Sequence, residues 1–140
     1  MSNKLSQCIK ENVLNLINEY TKEFYEFDVN DGYISENCYL LIFEGQITED
    51  SLTKLKMLVI NINEEYKQIQ IPNIYMPETM KYKNIGKALI SKIFNIAKQN
   101  DYELFIVDMV PSFYQKLINR GALPCTEEDA VEITEDTRLI

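Results

Sequence analysis

The chain has 140 residues, 46% of them hydrophobic, and a formal net charge of −8 at pH 7. This length corresponds to about one domain with one hydrophobic core, so we expect residues 1–140 to form a single domain. The charge argues against a nucleic-acid partner, because phosphate recognition requires a basic face. The absence of histidine excludes Ser-His-Asp catalysis and histidine metal sites.

The cysteine pattern and the N-terminus bear on compartment. The three cysteines, Cys8, Cys38 and Cys125, are far apart and have no Cys-x-x-Cys spacing, so neither a disulfide framework nor a zinc cluster is indicated. The first residues lack the basic and apolar regions of a signal peptide, and no apolar run is long enough for a membrane span. We therefore expect a cytoplasmic protein without a bound metal or a membrane partner.

The N-terminal part of the chain predicts a helix followed by strands. Apolar residues at spacings of three and four predict an amphipathic helix over about residues 3–24. Residues 25–29 and 38–44 are predicted as strands. Between them, Asn30-Asp31-Gly32 predicts a turn.

The middle of the chain is ambiguous. Residues 51–66 match a helical stripe, but they also contain a solid, partly β-branched apolar run that favours a strand at about 56–62. Residues 66–76 are predicted as another strand. Pro72 within it removes a backbone donor, which indicates either an edge strand or a bulge.

The remaining segments predict an alternation of helices and strands. A helix over about 84–100 precedes a strand at 103–108, which indicates a right-handed crossover between parallel strands. A second helix is predicted to begin at Pro111, with Ser112 as its N-cap and Gln115 in the capping-box position, and to stop at Gly121. Residues 130–134 and 138–140 predict one or two closing strands.

One segment concentrates positive charge in an otherwise acidic chain. Between Thr79 and Asn100 there are five lysines and no acid, whereas residues 126–140 carry six acids and one arginine. A loop containing Asn84 and Gly86 leads from a predicted strand into a predicted helix here, so backbone N–H groups and the helix dipole favour an anion such as pyrophosphate. The alternative is that Gly86 serves only the turn.

Two motifs follow one another in the second half of the chain. The first is Met76-Pro77 followed by Lys81-Tyr-Lys-Asn-Ile-Gly86, and the second is Phe113-Tyr114-Gln-Lys-Leu-Ile-Asn-Arg-Gly121. In this order they resemble the GNAT family of N-acetyltransferases, which has Arg/Gln-x-x-Gly-x-Gly/Ala at the start of a long helix in place of the first motif. Lys81 and Asn84 depart from the usual residues of the first motif, and the match covers about residues 67–122.

The resemblance implies a fold and a cofactor. The implied fold is an α/β (α+β) fold with a mixed, mostly antiparallel central sheet, a V-shaped splay between two parallel strands, and helices on both faces. Acetyl-coenzyme A (acetyl-CoA) would bind in that splay as co-substrate, without a metal, and a bulge at Pro72-Asn73 would help to open it. By resemblance, the backbone of Ile74 and Met76 would bind the pantetheine arm of acetyl-CoA. The residues that would bind its pyrophosphate are Lys81, Tyr82, Lys83, Asn84, Ile85, Gly86, Lys87 and Ala88.

The resemblance also implies a role for Tyr114 as the acid that protonates the departing thiolate, while the periodicity alone favours a core aromatic. The N–H of Met76 is the implied donor to the carbonyl oxygen. For the base, Glu36, Glu44, Glu78 and Asp108 are possible, and none is selected by the sequence. Each of them also fits a solvated surface carboxylate.

The predicted activity is acetyl transfer from acetyl-CoA to a primary amine of a small molecule or a protein, and the acidity outside the lysines suits a cationic acceptor. A homodimer is possible by resemblance. The alternative function is a CoA-binding or protein-interaction module with a GNAT-like fold and no turnover, because a fold does not fix a function.

Overall fold

The structure is a computed structural model that describes residues 4–20, 26–46, 55–74, 85–127 and 129–139. The described part contains three helices and seven strands. In chain order they are α1 (Lys4–Tyr20), β1 (Glu26–Ser35), β2 (Cys38–Gln46), β3 (Leu55–Asn63), β4 (Gln68–Ile74), α2 (Ile85–Gln99), β5 (Glu103–Ile106), α3 (Pro111–Asn119), β6 (Leu123–Pro124) and β7 (Val131–Ile133).

All seven strands belong to one sheet, in the order β1-β2-β3-β4-β5-β7-β6. Only the β4–β5 pair is parallel, and every other neighbouring pair is antiparallel. The helix between β4 and β5 is the crossover that a parallel pair requires. The predicted fold class, a mixed and mostly antiparallel sheet with one parallel pair, is therefore confirmed.

The hydrophobic core lies between the sheet and the helices. Helices α1 and α2 contact each other, α1 also contacts β2, α2 also contacts β5, and α3 packs against β7. The apolar positions at helical spacing are the buried ones, as the two long amphipathic patterns predict. In α1 and α2 they are Leu5, Ile9, Val13, Ile17, Ile85, Leu89, Ile90, Ile93, Ile96 and Ala97.

The ambiguous segment in the middle of the chain is a strand, β3, as favoured by the sequence. Its neighbours explain the choice. Ile60 is paired with Leu41 of β2, and Ile62 with Ile69 of β4, and all four side chains are fully buried. An inner strand gains buried partners on both sides, which an isolated helical stripe at this position would lack.

The turn predicted at Asn30-Asp31-Gly32 is wrong. Strand β1 continues through these residues, and the hairpin reverses at Glu36 and Asn37. A tight Asn-Gly turn needs a positive φ, and among the glycines of the described residues only Gly121 has one. Asn30 instead reaches across the strands and donates a hydrogen bond to the Glu44 carboxylate.

The C-terminal elements differ in part from the sequence prediction. The predicted strand at 130–134 is present as β7, but residues 138 and 139 are irregular, and β6 was not predicted. The segment after β7 folds back onto the end of α3 instead. There the Arg138 N–H donates to the Arg120 carbonyl at 2.7 Å, and the Arg138 guanidinium donates to the Asn119 carbonyl at 2.8 Å.

Gly121 ends α3, as predicted. Its N–H donates to the Ile118 carbonyl, and the N–H of Ala122 donates to the Leu117 carbonyl, which together form a Schellman motif. The φ of Gly121 is 95°, and a Cβ at this position would lie 2.9 Å from the Asp136 carbonyl oxygen. Both the dihedral angle and the close approach therefore require glycine.

We expect Gly121→Ala to lower the free energy of unfolding by about 1–3 kcal/mol, because alanine adds strain and a contact with rigid backbone. Gly32→Ala is the matched control, since a Cβ at Gly32 meets no atom within 4 Å and needs no positive φ. Denaturant unfolding of both variants measures the difference. Equal stability of the two would contradict the role assigned to Gly121.

Candidate functional site

The two parallel strands separate at their carboxyl ends. Residues Gln68–Ile71 of β4 pair with Glu103–Ile106 of β5, and the last hydrogen bond between them runs from the Val107 N–H to the Ile71 carbonyl at 3.1 Å. β4 continues to Ile74 alongside β3, whereas β5 has ended. In the described part of the chain, no strand pairs with the β5 side of β4 beyond Ile71. The topology thus leaves an opening between the two strands.

A bulge lies where the strands separate. Val59 of β3 is paired with Asn73, and Asn61 is paired with Gln70, so two residues of β4 oppose the single residue Ile60. The bulged residues are Ile71 and Pro72, one position earlier than the predicted Pro72-Asn73 bulge. Because a bulge leaves one residue outside the regular ladder, Pro72 is accommodated in an inner strand, and β4 bends at this point.

Both later helices begin at the same end of the sheet as this opening. The C-terminal end of α2 adjoins the start of β5, where the Tyr102 N–H donates to the Ala97 carbonyl and the Glu103 N–H donates to the Lys67 carbonyl. The N-terminus of α2 is therefore at the opposite end, beyond the carboxyl end of β4. α3 begins at Pro111, shortly after β5. The carboxyl ends of parallel strands are where open α/β sheets bind ligands.

The start of α2 offers backbone N–H donors. Its first turn contains Ile85, Gly86, Lys87 and Ala88 and no acid. The Ile85 side chain is buried in the core, whereas the other three residues are half-buried. A Cβ at Gly86 would meet no atom within 4 Å, so the described residues do not require glycine there for packing. The predicted residues Met76, Lys81, Tyr82, Lys83 and Asn84 lie outside the described residues.

The predicted N-cap of α3 is wrong. The cap is Val110, whose carbonyl accepts the N–H groups of both Phe113 and Tyr114, and no side chain caps this helix. Pro111 occupies the first helical position, where its fixed φ and missing N–H are suited to a helix start. Gln115 donates to the Asn119 side chain instead of forming a capping box.

Tyr114 lies in the first turn of α3. It is half-buried and packs against the hydrophobic core together with Phe113. The core contact expected from periodicity is therefore present. A tyrosine can bury its ring and keep its hydroxyl in contact with water, so this contact is compatible with the predicted acid role, which stays a prediction.

Val110 was given no role by the sequence analysis. Val110 is 64% exposed and caps α3, the helix that begins at the end of the sheet where the two strands separate. The adjacent Pro111 is also exposed. The sequence does contain a signal for Val110. It is an apolar residue directly before a proline, and it lies outside the periodic apolar positions.

Three of the four candidate bases lie at described positions that differ in their distance from the opening. Glu36 lies in the β1–β2 turn, at the end of the sheet away from the opening, which excludes it from this site. Glu44 is two strands away from β4 and accepts a hydrogen bond from Asn30. Asp108 lies two residues after the end of β5, is exposed, and has a φ of 54°. Glu78 lies outside the described residues.

Metal-binding and membrane-spanning features were also considered for the described part of the chain. Its His, Cys, Asp and Glu side chains form no group of three or more that could hold a metal ion. None of its helices is both long and apolar enough to cross a membrane. Cys8, Cys38 and Cys125 are all free and half-buried.

Comparison with solved structures finds similarity to a protein of Agrobacterium tumefaciens described as a "putative acetyltransferase". The match covers 94% of this chain and 90% of that chain, with 12% sequence identity and a TM-score of 0.38. No protein-family model and no curated protein matches this sequence. The fold described above therefore rests on the strand order and pairing of this chain itself.

A perturbed carboxyl group lies away from the opening. Partial burial raises the pKa of Glu132 in β7, and the charge of Glu103 and a hydrogen bond between the two side chains raise it further. Glu132 in turn helps to raise the pKa of the Cys125 thiol, after burial and the charge of Glu127. These groups lie at the start of β5 and the adjoining β7–β6 edge, so we assign the Glu103–Glu132 pair to structure.

We expect Glu132 to make the protein less stable as pH rises. The folded protein holds this proton more tightly than the unfolded chain does, so the contribution to unfolding free energy is largest below about pH 4.5 and falls as pH rises through the folded-state pKa. Glu132→Gln keeps the hydrogen-bonding group without the charge. Its advantage over the wild type should therefore grow between about pH 4 and pH 8 in denaturant unfolding.

The control for this measurement is Glu19→Gln, which neutralises an exposed carboxylate on α1. Its effect should vary with pH much less than that of Glu132→Gln. A constant difference between Glu132→Gln and the wild type across this pH range would show that the carboxyl pair does not contribute as described.

Proposed function

We propose that this protein is an N-acetyltransferase that binds acetyl-CoA between β4 and β5 and transfers the acetyl group to a primary amine of a small molecule or a protein. The observation that carries the proposal is the separation of this one parallel pair after Ile71 and Ile106, with a bulge in β4 at the point of separation. The two helices that follow these strands both begin at the opening, and the first turn of α2 brings backbone N–H donors to it.

The start of α2 is the proposed cradle for the pyrophosphate. The N–H groups from Lys83 to Ala88 would donate to its oxygens, and Lys81, Lys83 and Lys87 would supply positive charge. The open space beside Gly86 supports this part of the proposal, because a backbone without a side chain allows a phosphate to approach closely. Tyr82 and Asn84 are the other residues proposed for this cradle.

The edge of β4 is the proposed contact for the pantetheine arm. Ile74 is paired with Leu58 of β3 on one side, and no strand of the described residues pairs with its other side. The backbone of Ile74 and of Met76 would therefore be able to bind an extended arm with amide groups as if it were another strand. The exposed Val110 would provide an apolar contact near the acyl group.

When bound, acetyl-CoA supplies a thioester whose carbonyl carbon is attacked by the amine, forming a C–N bond and breaking the C–S bond. The Met76 N–H would donate to the carbonyl oxygen as negative charge builds there. Tyr114 would give its phenolic proton to the departing sulfur. The substrate ammonium would lose one proton to solvent before the attack, with Asp108 as its acceptor through water. The second proton, lost from nitrogen as the amide forms, would restore the phenol of Tyr114, so one proton is released in each turnover.

The cofactor site is tested by titrating acetyl-CoA and free CoA into the protein by calorimetry, with ATP and NADH as controls. We expect micromolar affinity for acetyl-CoA and CoA and much weaker affinity for the controls. Gly86→Glu should lower the affinity for both acetyl-CoA and CoA by about 100-fold or more, because a carboxylate at the helix N-terminus repels the pyrophosphate.

Gly86→Ala is the conservative variant. It should leave the free energy of unfolding unchanged or raise it by up to about 1 kcal/mol, since alanine favours a helix. It should nevertheless weaken the binding of acetyl-CoA if the pyrophosphate contacts this backbone. Wild-type affinity in both Gly86 variants would place the cofactor elsewhere. No binding of either CoA ligand to the wild type would refute the proposal.

Tyr114→Phe tests the acid. We expect kcat to fall by about 100-fold with an amine acceptor while KM for acetyl-CoA stays within about twofold, because only the proton donor is removed. Tyr102→Phe is the matched control, since Tyr102 lies at the other end of the sheet. Turnover is measured by release of the free CoA thiol.

Three outcomes distinguish the hypotheses. Equal loss of activity in both tyrosine variants, together with lower stability, would make Tyr114 a core residue only. Unchanged turnover in Tyr114→Phe would assign the proton to another group. Tight CoA binding without turnover on any amine would favour the module that binds CoA without catalysis.

A further inference from the structure

The two edges of the sheet are built differently. One edge is β6, which has only two residues, one of them Pro124. A short strand with a proline protects an edge against pairing with another chain. The other edge is β1, a strand of 10 residues whose inner side pairs with β2 along its length. No strand of the described part of the chain lies on its outer side.

β1 lacks several of the features that usually block an edge. Its sequence contains no proline, lysine or arginine. A bulge is present only at its end, between Tyr33 and Ser35. Residues 30–35 are exposed, including two large apolar side chains, Tyr33 at 56% and Ile34 at 59%.

An ordered aromatic side chain marks one end of this edge. The rings of Tyr33 and Tyr39 on β2 are 4.5 Å apart at an angle of 51°. Tyr33 is therefore held by a neighbour while more than half of its surface faces solvent. Rigid, exposed tyrosines provide binding area at a low cost in conformational entropy.

The charge of the edge is negative. β1 contains Glu26, Asp28 and Asp31, and Glu44 faces it from β2. Lys10 of α1 pairs with Asp31 at 2.8 Å, and β1 itself contains no basic residue. Asp28 and Asp31 lie on opposite faces of the strand, so the acidic residues of β1 are not confined to one face.

The charge also argues against pairing between two copies of this chain. Two paired β1 strands would place side by side two segments that each carry three acidic residues and no lysine or arginine, and the whole chain has a net charge of −8. Repulsion between like charges disfavours such a pair. The complementary partner is an extended segment with several lysines or arginines.

We propose that the outer edge of β1 binds a basic, extended segment of another protein as an added strand. Backbone hydrogen bonds from β1 would provide affinity, and the carboxylates would select basic side chains at alternate positions. Tyr33 would contact the aliphatic or cationic part of a partner side chain. This proposal is independent of the acetyltransferase function.

The probe is a labelled 10-residue peptide of alternating lysine and valine, matched to the length of β1. Two control peptides accompany it: one alternates glutamate and valine, and one is the lysine peptide with N-methyl groups at alternate backbone positions. Affinity is measured by fluorescence anisotropy, and the exchange of β1 amide hydrogens is followed with and without peptide. We expect binding of the lysine peptide, at least about tenfold weaker binding of both controls, and slower exchange in β1.

The test variant is Asn30→Lys combined with Gly32→Lys, which places on β1 the lysines that edges normally carry. Both positions are exposed, and a Cβ at Gly32 meets no atom within 4 Å. The matched control is Leu123→Lys combined with Thr126→Lys, which adds the same charge at exposed positions near the other edge. Wild-type exchange rates of β2 amides in each variant establish that the sheet is intact.

The proposal requires at least about tenfold weaker peptide binding in the β1 variant than in the β6-edge control. If peptide binding is equally weaker in the β1 variant and the β6-edge control, the peptide is attracted to net charge alone. Equal affinity for the N-methylated peptide would exclude strand addition. Protection of β1 amides that rises with protein concentration, without peptide, would show that a second copy occupies the edge.

Discussion

The parallel pairing of β4 with β5 is the constraint on which the arrangement of the chain depends. A parallel pair requires a crossover, and α2 provides it with an apolar face that is buried against α1 and β5. Because α2 returns the chain to the start of β5, its own N-terminus must lie at the carboxyl end of β4. The pairing stops after Ile71 and Ile106, which leaves the opening between the two strands beside that N-terminus.

Elements with many apolar positions at one period were predictable from the sequence. α1, α2 and the strands β3, β4 and β5 have buried residues where the pattern indicates them. The local predictions that were wrong concern polar residues that have more than one possible interaction. Asn30 bonds across strands to Glu44 rather than to its own backbone, and Ser112 loses the cap position because Pro111 already favours the first helical position. A single chain segment does not show which of these competing interactions tertiary structure will supply.

The position of the candidate site was also predictable only in part from the sequence. Motif order located Gly86 and Tyr114 at two helix starts, and the strand pairing brings both starts to one end of the sheet. The bulge was indicated by Pro72, although its position within β4 depends on the register with β3, which no property of β4 alone fixes. For Tyr114, periodicity and motif pointed to different roles. The half-buried ring allows both, because the two interpretations concern different atoms of the same side chain.

The two proposals have a geometric relation. β1 is three strands away from β4, which corresponds to about 14 Å across the sheet. The N-terminal end of β1 lies at the same end of the sheet as the opening, since β1 and β2, β2 and β3, and β3 and β4 alternate in direction. A protein segment bound along β1 would therefore need about four or five further residues to bring a lysine amine to the opening. An acidic edge that holds a basic segment would then raise the effective concentration of an amine near the thioester without adding any contact at the site itself.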